Sequence, residues 1–277
     1  MSYDTVEVIK MQAEKFLLIG NDKKMQACQK RFAERGFTAS CCEADEVERN
    51  VVFYPNIILP LPTLANGVIS GTGLSADEFF HLTGEKQRIF YGNLTENPFG
   101  GRGVSYYNES FLVKNSRLTA QGTLRITLEN VDRDLYSMNA AVLGYGRCGS
   151  AICKSLQANG ARVVSVSRNS HSAELARNER LIPMTYDEFF GKIRDFDIIV
   201  NTVPYNILDR GTMERLTSKN LYVEIASKPY GFNINETDKY NFRYILAESL
   251  PGRFTPTSAG ANIADTVIEL IKEGKDE

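Results

Sequence analysis

Residues 140–149 read Ala-Ala-Val-Leu-Gly-Tyr-Gly-Arg-Cys-Gly, and this stretch decides the fold. Its first four residues predict a buried strand, and the following residues, Ser150 to Asn159, have the apolar spacing of a helix. In such a strand–turn–helix Gly144 permits the tight turn, Gly146 lets the backbone approach a pyrophosphate, and Gly149 lets the helix pack closely. The free N–H groups at the helix N-terminus then face the anion.

The spacing of these glycines predicts a dinucleotide site, because a strand precedes them and a helix follows. A glycine-rich turn without a ligand is the alternative interpretation. A helix N-terminus lowers the pKa of a nearby thiol, and Cys148 could be activated in this way. The alternative interpretation is that Cys148 is a small residue that fills the loop. The predicted cofactor-binding residues of this turn are Gly144, Tyr145, Gly146, Arg147, Cys148 and Gly149.

The end of the second strand of this unit, Arg162 to Val166, indicates which dinucleotide is bound. An NAD site usually carries Asp or Glu there, but this chain reads Ser167-Arg168-Asn169, with no carboxylate before Glu174. A guanidinium with flanking hydroxyl and amide groups suits a 2′-phosphate. We therefore expect NADP, and NAD is the alternative cofactor. A solvated surface arginine is the alternative interpretation of Arg168.

The rest of the chain repeats an apolar run, a turn and a helical pattern, which is typical of an α/β fold with parallel strands. We predict two Rossmann-like domains whose parallel sheets face each other across a cleft. Residues 1–118 form the substrate-side domain, residues 119–258 form the NADP-binding domain, and residues 259–277 cross back onto the first. The predicted strands are Lys15–Gly20, Thr38–Cys42, Asn56–Leu59, Lys86–Tyr91, Asn139–Leu143, Arg162–Val166, Leu181–Met184, Asp197–Val203, Leu221–Ala226 and Arg243–Ala247.

Five further stretches have clear local patterns. Residues 92–104 hold four glycines and a proline and predict a mobile loop. Phe111 to Val113 reads as a short strand, and Thr119 to Val131 as a helix connecting the domains. Residues 250–258 predict an ordered loop before the amphipathic helix Ala259 to Lys272. The hydroxyl groups of this loop either cap the helix or bind a substrate carboxylate.

The composition excludes several classes of protein. The chain has 277 residues, enough for about two domains, with 32 basic and 34 acidic side chains. This balance lacks the excess of basic residues with which proteins bind nucleic acid or an anionic membrane. No apolar run is long enough to span a membrane, and no signal peptide is evident, so we expect a cytoplasmic protein. Five cysteines without a C-x-x-C pair, and two histidines, predict neither a metal site nor a disulfide framework.

Two later segments lie where strand ends border a cofactor. Asn201 to Pro204 and Ala226 to Pro229 each close a predicted strand, and in an open parallel sheet ligands collect at such carboxyl ends. Thr202 and Pro204 are therefore candidate cofactor contacts, although Pro and Asn are also common in ordinary turns. In the first domain, Leu59 to Thr63 follows a buried strand and is a candidate for the opposing wall.

Several motifs together resemble one family, the A-subunit of dipicolinate synthase. They are YYNESFLVKNSRLTAQGT at 106–123, AVLGYGRCG at 141–149, SVSRNS at 165–170, NTVPYNIL at 201–208, EIASKPYG at 224–231 and LPGRFTPTSAG at 250–260, with NIILPLP at 56–62 in the first domain. The resemblance implies NADP-dependent oxidation of dihydrodipicolinate, or its hydroxylated precursor, to pyridine-2,6-dicarboxylate during sporulation. It also implies a separate, flavoprotein-like B-subunit of dipicolinate synthase as partner.

The resemblance implies roles for matching residues. Gly144, Gly146, Arg147 and Gly149 hold the pyrophosphate; Ser167, Arg168 and Asn169 hold the ribose phosphate; Thr202, Val203 and Pro204 line the nicotinamide side. Two positions depart from the family pattern: Gln121 stands where a glutamate is expected, and Arg253-Phe254 replaces a shorter, more apolar turn.

A substrate with two carboxylates needs cationic or N–H partners. Lys228 is the first candidate for electrostatic contact, and Lys228, Thr119 and Gln121 are the candidate catalytic residues. The candidates for contacting the carboxylates are Lys228, Arg253, Thr119, Thr257 and Ser258.

Other functions stay open at this point. A shikimate-type or methylene-tetrahydrofolate-type dehydrogenase also pairs a small α/β domain with a nucleotide domain, but the shikimate type expects a catalytic Lys and Asp that are not evident in the first domain. A nucleotide-binding regulatory protein without chemistry is the third interpretation. We expect a homo-oligomer that binds neither nucleic acid nor membrane.

Overall fold

The computed structural model describes residues 14–274, and strands alternate with helices over most of that length. The strands are β1 (Lys15–Ile19), β2 (Thr38–Cys42), β3 (Asn56–Ile58), β4 (Leu64–Ala65), β5 (Val68–Ile69), β6 (Arg88–Tyr91), β7 (Gly103–Ser105), β8 (Asn139–Leu143), β9 (Arg162–Val166), β10 (Ile182–Met184), β11 (Ile198–Asn201), β12 (Leu221–Glu224) and β13 (Arg243–Leu246). The α-helices are α1 (Lys23–Glu34), α2 (Val47–Asn50), α3 (Ala76–Leu82), α4 (Glu109–Glu129), α5 (Arg147–Ala158), α6 (Ser170–Asn178), α7 (Tyr186–Gly191), α8 (Arg210–Met213), α9 (Leu250–Phe254) and α10 (Pro256–Glu273).

The chain divides into two compact units. The first unit contains the described residues of Met1–Asn115 and Thr255–Glu277, and the second unit is Ser116–Phe254. Helix α4 crosses the boundary between them. Each unit is built around a parallel sheet, so the predicted two-domain α/β fold is confirmed.

The sheet of the second unit has the strand order β10-β9-β8-β11-β12-β13, and all its pairs are parallel. The chain starts at the central strand β8, moves outward to β10, and returns to β11 on the other side of β8. This order is that of the Rossmann fold, and it places a crevice at the carboxyl ends of β8 and β11, where the order reverses.

The apolar run of β8 explains its central place. Ala140 and Val142 lie in one core cluster and Ala141 and Leu143 in another, and all four are fully buried. Alternate residues of a strand point to opposite faces, so this run buries both faces of the sheet. A continuous apolar run, rather than an alternating one, is what a strand covered by helices on both sides requires.

The sheet of the first unit has the order β2-β1-β3-β6-β7, again with parallel pairs. Phe16 and Leu18 of β1 belong to one core cluster, and Leu17 and Ile19 to another. The strand order reverses between β1 and β3, which makes their carboxyl ends the switch point of this sheet.

The C-terminal helix α10 packs on α1 of the first unit, as the sequence predicted. An ion pair from Arg31 Nε to Asp265 Oδ1, at 2.9 Å, joins the two helices. At Gly260 the backbones approach so closely that an added Cβ would lie 2.2 Å from the Lys24 carbonyl oxygen.

We expect Gly260→Ala to destabilise the protein by at least ~1 kcal/mol. The helices must separate to admit the methyl group, and overpacking of this kind typically costs ~1–3 kcal/mol, more than the better helix propensity of alanine returns. Chemical denaturation measures the change. The matched control is Gly211→Ala in α8, where the closest atom to an added Cβ lies at 3.8 Å; equal stability of the two variants would contradict the prediction.

Three local predictions were wrong. Phe111 to Val113 is not a strand but part of helix α4, in which Phe111 is buried in the first unit's core. The stretch 92–104 is not all loop, because Gly103 and Val104 pair with β6. Residues 250–258 are helical in α9 and the start of α10, broken at Thr255. Long-range packing, which a local pattern does not contain, decides all three.

Candidate functional site

The predicted glycine turn lies at the switch point of the second sheet, between β8 and α5. Gly144 has a φ of +92°, which disfavours other residues, and its N–H donates to the Val166 carbonyl of β9 at 2.8 Å. An added Cβ at Gly149 would lie 2.1 Å from the Gly144 carbonyl oxygen, a distance that no side chain tolerates. Gly144 and Gly149 are therefore required by the fold of the turn itself.

Gly146 differs from these two glycines, because within residues 14–274 no atom beyond its own stretch of backbone lies within 4 Å of where its Cβ would be. It is the N-cap of α5, a 12-residue helix, and no side chain caps this end. The first N–H groups of a helix lack intrahelical acceptors, and they favour an anion. The open space and the uncapped helix end fit a pyrophosphate.

The residue that follows strand β11, Thr202, holds the end of β8 just before the glycine turn. Thr202 donates to the Leu143 carbonyl oxygen twice, from its N–H at 3.0 Å and from its Oγ1 at 2.7 Å. The structure thus shows Thr202 holding the end of β8. The strand ends at Asn201, two residues before the predicted end at Val203; Val203 is half-buried and Pro204 is exposed, and their contact with a cofactor stays a prediction.

The end of β9 presents the residues expected to select the cofactor. The Ser167 hydroxyl is buried and has no hydrogen-bond partner among residues 14–274. Arg168 is exposed and forms no ion pair with a described residue, but its positive charge partly offsets the burial that raises the pKa of Tyr186. Asn169 caps α6 by accepting from the Ser172 N–H at 2.7 Å. A buried hydroxyl and an exposed guanidinium, neither paired within the described part of the chain, suit a phosphate.

A buried carboxylate that sequence reasoning missed connects the two strand-end loops. Glu224, at the end of β12, is fully buried and accepts from Asn201 Nδ2 at 2.9 and 3.0 Å. It also accepts from the N–H groups of Ala226, at 3.0 Å, and Gly231, at 2.8 Å. Glu224 thereby holds the loop after β12 to the end of β11. The sequence did contain a signal for Glu224, because an acidic residue directly follows the apolar run Leu-Tyr-Val at 221–223.

Burial raises the pKa of Glu224, and the hydrogen bonds from Gly231, Asn201 and Ala226 act against that rise. Asn201 uses its other amide atom locally, since Oδ1 accepts from the Val203 N–H at 3.0 Å. The Asn201 side chain therefore links the main chain at the end of β11, through Val203, to the Glu224 carboxylate.

Cys148 does not have the properties of an activated thiol. Burial raises its pKa, and the opposing effects of a hydrogen bond with Thr119 and the charge of Arg147 do not reverse this. The structure favours the loop-filling interpretation of Cys148. The ring of Tyr145 packs on the core, and burial raises the pKa of its hydroxyl to about 12.

The candidate catalytic and carboxylate-binding residues are distributed over both units. Thr119 is buried beside the glycine turn, whereas Gln121 and Lys228 are exposed. Arg253 is also exposed, with Nη1 3.4 Å from the Glu248 carbonyl oxygen. These four belong to the second unit.

Thr257 and Ser258 belong to the first unit, where Ser258 is exposed and both lie inside the first turn of α10. The expectation that they cap this helix is wrong, because the N-cap is Thr255, which makes no side-chain cap bond. Among residues 14–274, no group of three or more side chains is arranged to hold a metal ion. Over the same residues, no helix has the length and apolar character to cross a membrane.

A parallel sheet of Rossmann order with this glycine turn at its switch point defines a dinucleotide-binding domain of the dehydrogenase type. The family model of the D-isomer specific 2-hydroxyacid dehydrogenase NAD-binding domain matches residues 112–226. The chain is 30% identical over 257 residues to the A-subunit of dipicolinate synthase from Bacillus subtilis (strain 168), and the match covers 87% of this chain and 85% of that protein.

Solved structures agree with the sequence relationship. The dipicolinate synthase A chain from Bacillus subtilis has a TM-score of 0.78 at 27% identity, covering 95% of this chain and 98% of that one. The corresponding protein from Bacillus halodurans shares the fold with a TM-score of 0.80 at 20% identity, covering 94% and 98%. The chain belongs to the A-subunit family of dipicolinate synthase.

Proposed function

We propose that this chain is the NADP-dependent oxidoreductase component of a dipicolinate synthase. It oxidises dihydrodipicolinate, or the hydroxylated precursor that yields it by loss of water, to pyridine-2,6-dicarboxylate. The observation that carries the proposal is the glycine turn at β8, with open space at Gly146, in a chain of this family. A flavoprotein-like B-subunit is the proposed partner, and a homo-oligomer in the cytoplasm is the proposed state.

This turn would hold NADP, which would supply the hydride acceptor. The chain's own residues bind and orient: the N–H groups that follow Gly146 hold the pyrophosphate, and Ser167 and Arg168 hold the 2′-phosphate. Thr202 and Glu224 keep the strand ends in place. The substrate ring loses a hydride and a proton, the proton passing to a base or to water, and gains aromaticity. Lys228 is the proposed electrostatic contact for a substrate carboxylate.

The test is a reconstituted reaction followed by the ultraviolet absorbance of dipicolinate. The product of dihydrodipicolinate synthase is supplied with NADP or NAD, with this chain present or absent, and with the B-subunit present or absent. We expect dipicolinate and reduced cofactor in equal amounts only when this chain is present. Cofactor binding without turnover, whether or not the B-subunit is added, would instead support a regulatory protein, and turnover of shikimate would support the other dehydrogenase type.

Arg168 provides a test of the choice between NADP and NAD. We expect Arg168→Gln to weaken NADP binding about 10- to 100-fold, because a charge-assisted hydrogen bond contributes ~1.5–3 kcal/mol, and to leave NAD binding unchanged. Titration of protein with each cofactor measures both constants. Arg177→Gln, at an exposed position later on α6, is the matched control. Equal weakening of NAD and NADP by Arg168→Gln would refute the phosphate contact.

A further inference from the structure

The carboxyl edge of the first unit's sheet carries a lysine for which the mechanism above has no role. Lys24 lies in the first turn of α1, just after β1, and its Nζ donates to the Leu61 carbonyl oxygen at 2.5 Å. Leu61 follows β3, so the ammonium group lies at the ends of the two strands between which the strand order reverses. In open parallel sheets this switch point is where ligands bind.

The ammonium of Lys24 has an incomplete set of partners. Within residues 14–274 it forms no ion pair, and the Leu61 carbonyl is its one hydrogen-bond acceptor, although an ammonium offers three donors. The nearby Asp22 is engaged as the N-cap of α1, accepting from the Met25 N–H at 2.8 Å.

Burial lowers the pKa of Lys24, and the charge of Asp22 opposes this. Cys28, also close, is a buried thiol whose pKa burial raises, so it supplies no negative charge at neutral pH. Lys24 is half-buried, so its ammonium loses part of its hydration, and an anionic ligand would compensate for that loss better than one neutral acceptor does.

The loop that Lys24 contacts is also held by hydrogen bonds that do not involve this lysine. The hydroxyl of Tyr106 donates to the Leu59 carbonyl oxygen at 3.0 Å, and Thr63 Oγ1 donates to the Pro60 carbonyl oxygen at 3.0 Å. The Thr63 N–H donates to Asn93 Oδ1 at 2.9 Å. Positioning the loop is therefore not a sufficient reason for placing a cation here.

We propose that Lys24 binds one carboxylate of the dicarboxylate substrate at the switch point of the first unit's sheet. This inference rests on the proposed function, and it adds a substrate-binding residue that the motifs did not indicate. The ammonium meets the carboxylate equally in the ground state and the transition state. Loss of the charge should therefore raise KM and leave kcat unchanged.

Three substitutions separate the charge from the contact with the loop. Lys24→Gln keeps an N–H donor for the Leu61 carbonyl oxygen and removes the charge, Lys24→Met removes both, and Lys24→Arg keeps both. We expect Lys24→Gln and Lys24→Met to raise KM about 10- to 100-fold, the value of a charge-assisted hydrogen bond, and Lys24→Arg to recover most of the loss. Lys23→Gln, the exposed neighbour, is the matched control.

Binding measured without turnover completes the test. Calorimetric titration with pyridine-2,6-dicarboxylate and with pyridine-2-carboxylate, in the presence of NADP, should show that the wild-type chain prefers the dicarboxylate and that Lys24→Gln loses this preference. NADP affinity and the melting temperature should stay unchanged in that variant.

Three results would overturn the inference, and they separate a failure of the Lys24 role from a failure of the proposed function. The wild-type chain could make dipicolinate while Lys24→Gln keeps the wild-type KM and the preference for the dicarboxylate; then only the role of Lys24 is wrong. The same conclusion follows if Lys24→Gln has the wild-type KM and only Lys24→Met has a raised KM, because the charge would then not be needed. If the wild-type chain neither makes nor binds dipicolinate, the proposed function and the role of Lys24 both fail.

Discussion

Gly146→Ala should abolish useful dinucleotide binding while the protein stays folded. Among the described residues the added methyl meets no atom within 4 Å beyond the local backbone, and the backbone of Gly146, with φ −88° and ψ −163°, is open to alanine. The same methyl occupies the space through which a pyrophosphate approaches the helix N-terminus. Losing two charge-assisted hydrogen bonds to the phosphates weakens binding by about 100-fold or more.

Two measurements on Gly146→Ala test this expectation: fluorescence titration with NADPH for affinity and thermal unfolding for stability. Stability should stay within ~1 kcal/mol of the wild type, which is about what the loss of a glycine N-cap costs. Tight NADPH binding by this variant would show that the turn does not hold the pyrophosphate, and the proposed function would lose its main support.

Gly149→Ala is the matched comparison, because the two substitutions are chemically identical. Its methyl would lie 2.1 Å from the Gly144 carbonyl oxygen, so the helix must move away from β8. We expect a loss of ~1–3 kcal/mol in the free energy of unfolding, together with weaker binding. A variant as stable as Gly146→Ala would contradict the close approach of helix and strand described above.

Glu224→Ala should destabilise the protein by about 3 kcal/mol or more. The substitution leaves the buried N–H groups of Ala226 and Gly231 and the amide of Asn201 without their shared acceptor, and each unsatisfied donor costs ~1–3 kcal/mol. Denaturant unfolding measures the loss. Glu214→Gln, which removes an exposed ion pair with Arg210, is the control and should change stability by less than ~0.5 kcal/mol.

The titration of Glu224 should also make stability depend on pH. Because burial raises its pKa above the ordinary 4.5, the folded chain keeps this proton to a higher pH than the unfolded chain does. The contribution of Glu224 to the free energy of unfolding therefore falls as the pH rises from 4.5 through the pKa of the folded state. Glu224→Gln does not titrate, so wild type should lose stability relative to this variant across that window. A constant difference between the two would refute the raised pKa.

The sequence by itself determined the features that depend on local pattern. The glycine spacing at 144–149 predicted the turn, because the φ of Gly144 and the close approach of Gly149 are demands that only glycine meets. The alternation of apolar runs and helical periods predicted parallel sheets, because a buried parallel strand must be apolar on both faces. The place of the last helix after the loop at 250–258 also predicted that it returns to the first unit, where α10 lies.

The tertiary structure alone decided what depends on residues far apart in the chain. Lys24 and Leu61 are 37 residues apart and meet only because β1 and β3 are neighbours, and Glu224 reaches Asn201 only because β11 and β12 pair. Phe111 joins a helix rather than a strand because its side chain packs in the first unit's core. Local propensities differ by less than ~1 kcal/mol per residue, so burial and shared hydrogen bonds outweigh them.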